Sequence, residues 1–457
     1  MPPLRRIDVV HDSVKRLQRI GATANLINLL QKQYPADLAE VLTSLPPGER
    51  RSVFDTLVDH DSRLAMEAVS ELDPEVGETL LVGRPPDRLA VLFTELPTDD
   101  AAALIDRLPD EVSSDVLELM RRKDFSEVEH LLEYEDQTAG RIMNPNVFAL
   151  DENLTAGQAI EALQTSREVE MVFYLYVVDS RRHLVGVVSL RRLLLVSQET
   201  PLKRIMTTEM ISARVDTDQE EVARKVASYN LLAIPVVETE NKLVGIITVD
   251  DVIDVIKDEA TEDILRLAGV AADEHVFTPP MEAWLKRLPW LAVNLVTATC
   301  AALVVQQFKA TVEEVLALAA FMTVVASMGG NAATQTLTVI VRGIALDELT
   351  WSNSRRALGK EALVGLGNGL ILGMAGGVIA WWIVGNVYVG GILALAMIIN
   401  LLVAAVAATL IPIALRALKV DPALASSVFI TTLTDVFGFF AFLGLATLFL
   451  QYLGSAA

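Results

Sequence analysis

The chain has 457 residues, is 52% hydrophobic and carries a formal charge of −21. That is too apolar for a soluble enzyme, and the acidity argues against nucleic acid, whose phosphates need Lys and Arg. From Met281 onward nine basic residues stand against eight acidic ones, so residues 1–280 carry −22. An acidic soluble half suits a cationic partner such as a metal ion, or serves solubility alone. Cys300 is the only cysteine and the five His lack ligand spacing, which excludes a disulfide framework and a Cys-based metal site. The N-terminal string MPPLRRIDVVHDSVKRL has no apolar core and does not read as a cleaved signal.

Residues 1–136 read as short amphipathic helices. Leu45-Pro46, Leu96-Pro97, Leu108-Pro109 and Asp73-Pro74 punctuate them, each Pro ending one helix and able to start the next. The strings LAEVLTSL and LAVLFTEL between them are apolar at helical spacing. The expectation is a superhelical stack of helix pairs, with an ordinary helical bundle as the alternative.

Residues 137–257 hold a tandem repeat. Ile142-Met143 recurs as Ile205-Met206, and VVDSRRHLVGVVSLRRLL recurs as VVETENKLVGIITVDDVI. Each copy predicts a helix, a strand, a turn, a second strand and a closing helix. The two copies, 137–200 and 201–257, are similar to the paired CBS-domain family. In that family a Ser/Thr-x-x-Asp after the last strand can hold the ribose of an adenosyl nucleotide. Thr248 and Asp251 keep this pattern, while Ser189 is followed by Arg192 where the Asp would be. Whether ATP binds is therefore open.

Residues 258–280 begin as an acidic amphipathic helix, with Pro279-Pro280 as the break. Residues 281–457 contain five apolar stretches, about 289–306, 315–341, 363–384, 390–415 and 428–450, each able to cross a hydrocarbon layer about 30 Å thick. With the N-terminal half inside, Lys286, Arg287, Arg342, Arg355, Arg356, Lys360, Arg416 and Lys419 fall on the cytoplasmic side, and only Lys309 falls outside. Five spans then leave the C-terminus outside.

Asp435 sits alone in the fifth stretch, within FITTLTDVFGFF. A carboxylate there disfavours insertion by about 2.5–3.5 kcal/mol, so it faces either a partner helix or a water-filled path. The second stretch carries MGGNAATQT, with Gly329, Gly330, Asn331, Thr334 and Gln335. Adjacent glycines weaken a helix and admit close backbone approach. Intramembrane amides need partners, either across helices or along a cavity. Asn294 and Asn400 could line the same path or be structural. One Asp among Thr hydroxyls and backbone carbonyls suits a hydrated, hard cation such as Mg²⁺. A soft-metal site would show Cys, Met or His at ligand spacing.

The stretches TVDDVIDVI, EATEDILRLAG, GGNAATQ, VDPALAS and TTLTDVFGF, in this order, resemble the MgtE family of magnesium channels. The resemblance implies a multidomain membrane protein: a helical superhelical N-domain, an α/β CBS pair, a connecting helix and a five-helix transmembrane domain. It implies a homodimer in the cell (inner) membrane with a Mg²⁺ pore at the dimer axis and no enzymatic activity. Asp435 falls on the family's pore-ion carboxylate, Thr431 on a position whose carbonyl faces the ion, and Asn331 in the Gly-Gly-Asn motif. The resemblance also implies closure by cytosolic Mg²⁺ bound between acidic surfaces. The positions that map onto this are Asp251, Asp254, Glu259, Glu262, Asp263 and Asp421, with Asp216, Asp218, Asp99 and Asp100 less directly. Solvated acidic faces are the plain alternative for each.

Three departures stand out. Ala333 replaces a common Gly, Ser427-Val428 a common Gly-Pro, and Asn230 a common Asp, with Ser228 also neutral. A regulatory ion site near Asn230 is therefore expected to be weak or missing. Competing readings are a secondary transporter of Mn²⁺ or Co²⁺ and a membrane-anchored adenine-nucleotide sensor that transports nothing. No P-loop, nucleophile elbow or metal-hydrolase spacing is present.

Overall fold

The computed structural model describes residues 6–121, 126–166, 173–272, 274–276, 278–418, 420–424 and 427–453. Lys419, and Ala425 and Ser426 of the VDPALAS stretch, lie outside the described residues. The chain divides into two compact units, Met1–Lys257 and Asp258–Ala457.

Among the described residues the first unit opens with ten short helices, from Arg6–Arg19 to Ser126–Leu132. Of the prolines singled out, Pro74 is the first residue of its helix while Pro46 and Pro97 stand one position before theirs; Pro35, Pro47 and Pro86 are also first helical residues, where no backbone N–H is required. Asp61 caps the helix Ser62–Ser70 and Asp73 the helix that Pro74 opens, accepting from the amides of Leu64 and Glu75 respectively. The two recurring strings bury the same register. Leu38, Ala39, Val41, Leu42 and Leu45 lie in the core, as do Leu89, Ala90, Leu92, Phe93 and Leu96.

Two three-stranded sheets follow. In the first, β1 (Ala149–Asp151) is parallel to β2 (Tyr174–Val178), which is antiparallel to β3 (Leu184–Ser189). The second repeats this order with β4 (Ala213–Arg214), β5 (Ala233–Val237) and β6 (Leu243–Thr248). The repeated Ile-Met and Leu-Val-Gly strings have a shared physical reason. A Cβ at Gly186 of β3 would sit 2.6 Å from the Met206 sulfur, and one at Gly245 of β6 would sit 2.7 Å from the Met143 sulfur. Each copy thus lends a methionine to a glycine pit in the other. Backbone bridges Val187↔Thr207 and Asn144↔Ile246 fix the exchange.

The division between units falls inside the acidic helix Val249–Leu267. Gly269 ends that helix: its φ of +72° is left-handed, and the Val270 amide returns to Leu265 O. Pro279-Pro280, expected as the break, instead opens the next helix, with Pro280 as its first residue.

Among the described residues the second unit has five helices long and apolar enough to cross a membrane: Pro280–Gln307, Ala317–Ala345, Ser354–Val384, Val387–Ala417 and Val428–Leu448. The longest have 31 residues. At 1.5 Å per residue these reach about 46 Å, beyond the hydrocarbon layer and into the headgroup region. The third and fourth spans pack backbone to backbone along Gly365, Gly369, Gly373 and Gly377. A Cβ at Gly373 would lie 2.7 Å from Ala394 O, and one at Gly377 2.6 Å from Gly390 O. Such approach is available to small residues alone. Trp290 of the first span meets Phe429 of the last edge to face, with centroids 6.4 Å apart. The second span runs unbroken through Gly329-Gly330, so the glycines serve packing rather than a helix break.

Candidate functional site

The candidate ion path is built from the second and last spans. Asp435 is half-buried, and Thr431 lies one turn before it on the same helix. The local hydroxyls are committed to their own helix. Thr432 Oγ1 donates to Val428 O at 2.7 Å and Thr434 Oγ1 donates to Thr431 O at 2.8 Å. The Thr431 carbonyl, inside a continuous helix, thus accepts from the Thr434 hydroxyl as well as serving the helix backbone. On the second span Asn331 is exposed, and Thr334 Oγ1 donates to Gly330 O at 3.0 Å. A Cβ at Gly330 would sit 3.2 Å from the Thr431 methyl, so the Gly-Gly-Asn stretch and the threonine turn lie directly against each other.

The other amides separate. Asn294 is exposed on the first span, whereas Asn400 is fully buried, with Nδ2 donating to Val325 O at 2.9 Å. The departing residue Ala333 is fully buried beside Leu337, Ala404 and Ile430. It fills a packing position and does not border open space.

The acidic residues named from the sequence fall into two groups. In the first unit Asp99 and Asp100, at the start of the helix Thr98–Asp106, lie near Asp251 and Asp254. Burial, then the Asp251 charge, pushes the Asp99 carboxyl up to about 8. The same two causes push Asp100 up to about 6. Asp251 is itself raised by burial, although it accepts from Thr248 N at 3.1 Å and Thr248 Oγ1 at 2.6 Å. Asn144 Nδ2 donates to Asp99 at 3.3 Å.

In the second unit Glu262, Asp263 and Asp421 gather around Arg266. The guanidinium pairs with both Glu262, one turn away, and Asp421. Burial, then Asp421, pushes Asp263 up to about 6. Glu259 is half-buried one turn earlier. Arg266 did not figure among the residues expected from the sequence. Its i,i+4 spacing to Glu262 was the available signal.

The remaining candidates are otherwise engaged. Asp216 pairs with Arg214 at 2.9 Å, which holds its carboxyl below the usual range. Asp218 caps the helix Gln219–Tyr229 by accepting from Glu220 N. Ser189 caps a short helix through the Arg192 amide at 3.3 Å. Asn230 ends its helix in a left-handed turn with φ +50°. Among the described residues no three His, Cys, Asp or Glu side chains converge to encage a bare ion. The donors present are carboxylate oxygens, which suit a hydrated hard cation.

Comparisons with known proteins agree with this layout. A family model described as a divalent cation transporter matches residues 322–445, one for the MgtE intracellular N domain matches 33–137, and the CBS domain matches 139–199 and 202–258. The chain is 38% identical to the magnesium transporter MgtE of Enterococcus faecalis, over 72% of this chain and 73% of that one. It is 37% identical to the magnesium transporter MgtE of Thermus thermophilus, over 71% and 73% respectively. A crystal structure of the cytosolic domain of the Mg²⁺ channel MgtE in complex with ATP is similar with a TM-score of 0.51 and 35% identity. It covers 54% of this chain and 99% of that one. With its helical N-domain, CBS pair and five candidate spans, the chain belongs to the MgtE family of magnesium transporters, which are membrane transport proteins and not enzymes.

Proposed function

We propose that the chain is a Mg²⁺-selective channel closed by cytosolic Mg²⁺. The observation that carries this is Asp435, the one ionisable side chain of the last span, half-buried one turn beyond a threonine that packs on Gly330. A carboxylate at that depth needs a cation or water to offset its burial. In a homodimer with the two last spans at the axis, paired Asp435 carboxylates would attract a divalent ion strongly. Asn331 and the Thr431 carbonyl would face its hydration shell.

Closure follows from the two carboxylate clusters. Like charges at Asp99, Asp100, Asp251 and Asp254, and at Glu259, Glu262, Asp263 and Asp421, oppose close packing until a cation neutralises them. Their hard oxygen donors fit hydrated Mg²⁺. Asp216 and Asp218, already engaged, contribute less. An ATP ribose would be held by Thr248 and Asp251, with Ser189 offering a hydroxyl from the other copy. The matched cytosolic domain bound to ATP supports this. The working division is an N-domain over 1–136, CBS copies over 137–200 and 201–257, a connecting segment over 258–280 and a membrane domain over 281–457. The first three face the cytoplasm and the C-terminus lies outside.

Single-channel recording in a planar bilayer, with Mg²⁺ as sole permeant cation, tests the reading. Currents should vanish in Asp435→Ala while the protein still elutes as a dimer. They should close as Mg²⁺ rises on the soluble-domain side, and stay open when Glu259, Glu262 and Asp263 are neutralised together. Silence from folded dimeric protein, with concentrative uptake of Mn²⁺ or Co²⁺ in vesicles, would replace the channel by a coupled transporter.

A further inference from the structure

Asn400 occupies an unusual position in the membrane unit. It lies in the fourth span, is 0% exposed, and reaches between two other spans. Its Nδ2 donates to Val325 O of the second span at 2.9 Å. A Cβ built on Gly329 of the second span would overlap the Asn400 amide, which supplies all three of its nearest atoms. The same holds on the last span, where a Cβ at Gly438 would lie 2.7 Å from Asn400 Nδ2, 2.9 Å from Cγ and 3.1 Å from Oδ1. The amide thus fills a slot cut by one glycine from each of the two helices that carry the ion-path residues.

The level of that slot matters. Gly438 comes one turn after Asp435, and Gly329 precedes Gly330, which packs on Thr431. Asn400 Oδ1 meets no donor among the described residues. An unsatisfied buried carbonyl is destabilising, so the amide is not there for stability alone. A leucine or alanine would pack an apolar span without that penalty.

We propose that Asn400 is a positioning residue. Wedged between Gly329 and Gly438 and tethered to Val325, it sets the height and rotation of the last span against the second, and so the placement of Asp435 and Thr431 relative to Asn331. This rests on the reading of Asp435 as the ion-facing carboxylate. The slot predicts a steric exchange. Gly438→Ala should be damaging because its methyl meets Asn400, and removing the amide should relieve it.

The test uses the full chain in proteoliposomes, with Mg²⁺ influx measured against Ca²⁺ as competitor and thermal melting measured in parallel. Asn400→Ala should fold, yet discriminate Mg²⁺ from Ca²⁺ about tenfold less well. Gly438→Ala should lose both melting temperature and discrimination, and Gly438→Ala with Asn400→Ala should regain the melting temperature. If Asn400→Ala does not fold, Asn400→Ser, which is smaller than Asn yet still polar, carries the same comparison. Wild-type discrimination in Asn400→Ala or Asn400→Ser overturns the positioning role, as does a double variant no more stable than Gly438→Ala. Asp435→Ala separates the two readings. Persistent Mg²⁺ influx there defeats the ion-path assignment, while the glycine exchange still reports the contact by melting.

Discussion

Arg266 of the acidic helix is ion-paired with Asp421, which stands in the loop between the fourth span and the last. The same guanidinium holds Glu262. A fixed cation therefore sits inside the carboxylate cluster proposed to receive Mg²⁺, and it neutralises part of that cluster when the ion is scarce.

Arg266→Gln is expected to loosen the helix in Mg²⁺-free buffer and leave it docked at saturating Mg²⁺. Both partners are about one-third exposed, with side chains at 30% and 32%, so the pair contributes modestly. About 1 kcal/mol corresponds to roughly fivefold more opening. Limited proteolysis between Leu267 and Pro280, with and without Mg²⁺, measures it. Equal cleavage of the two proteins in chelator would count against the tether.

Proton linkage at Asp99 and Asp100 sets a pH dependence. Their carboxyls, raised to about 8 and about 6, hold protons in the folded state that the unfolded chain releases above its usual value. The resulting stabilisation is complete below the unfolded value, declines as pH rises and is lost once pH passes about 8. Glu71, Asp250, Asp251 and Asp254 share the surroundings of Asp100. In chelator, protease resistance of the full chain should fall progressively as pH rises from about 4 to about 8. Over the same range the Mg²⁺ concentration giving half-protection should drop, because the ion competes with protons. A pH-independent midpoint would contradict the cluster's assignment.

Asn230→Asp should lower the Mg²⁺ needed for closure while leaving stability almost unchanged. Asp tolerates the left-handed turn at φ +50° about as well as Asn, so the substitution adds a charge without backbone strain. Current recordings across a Mg²⁺ series decide the matter. An unmoved threshold would make the position silent.

Gly373→Val should separate the third and fourth spans. Its side chain would enter the 2.7 Å gap to Ala394 O, and overpacking of this kind typically destabilises by about 1–3 kcal/mol. A lower melting temperature in detergent is the expected result. A value equal to that of Gly367→Val, where a Cβ meets nothing within 4 Å, would show that the close approach is unimportant.

Much of this was readable in the chain because the signals are local. Proline punctuation and helical spacing gave the N-domain its helices, and repetition gave the sheets. Strands β1 and β4, with three and two residues, are too short for alternation to register. Gly269 stops the acidic helix well before Pro279 because a left-handed glycine ends a helix as firmly as a proline. The site was legible as a set of residue types. What periodicity could not supply was partnership: that Asn294 is exposed while Asn400 is fully buried, or that Arg266 reaches a carboxylate 155 positions on.

The exchange of Met143 and Met206 between the two sheets has a consequence for synthesis. Met143 waits for a glycine made about 100 residues later, an interval of order 5–20 s at ordinary translation rates. During that time its side chain and the unfilled neighbour remain open to other proteins. The first sheet receives its own methionine, Met206, only once the second copy has begun, so neither copy's packing is complete within its own stretch of chain.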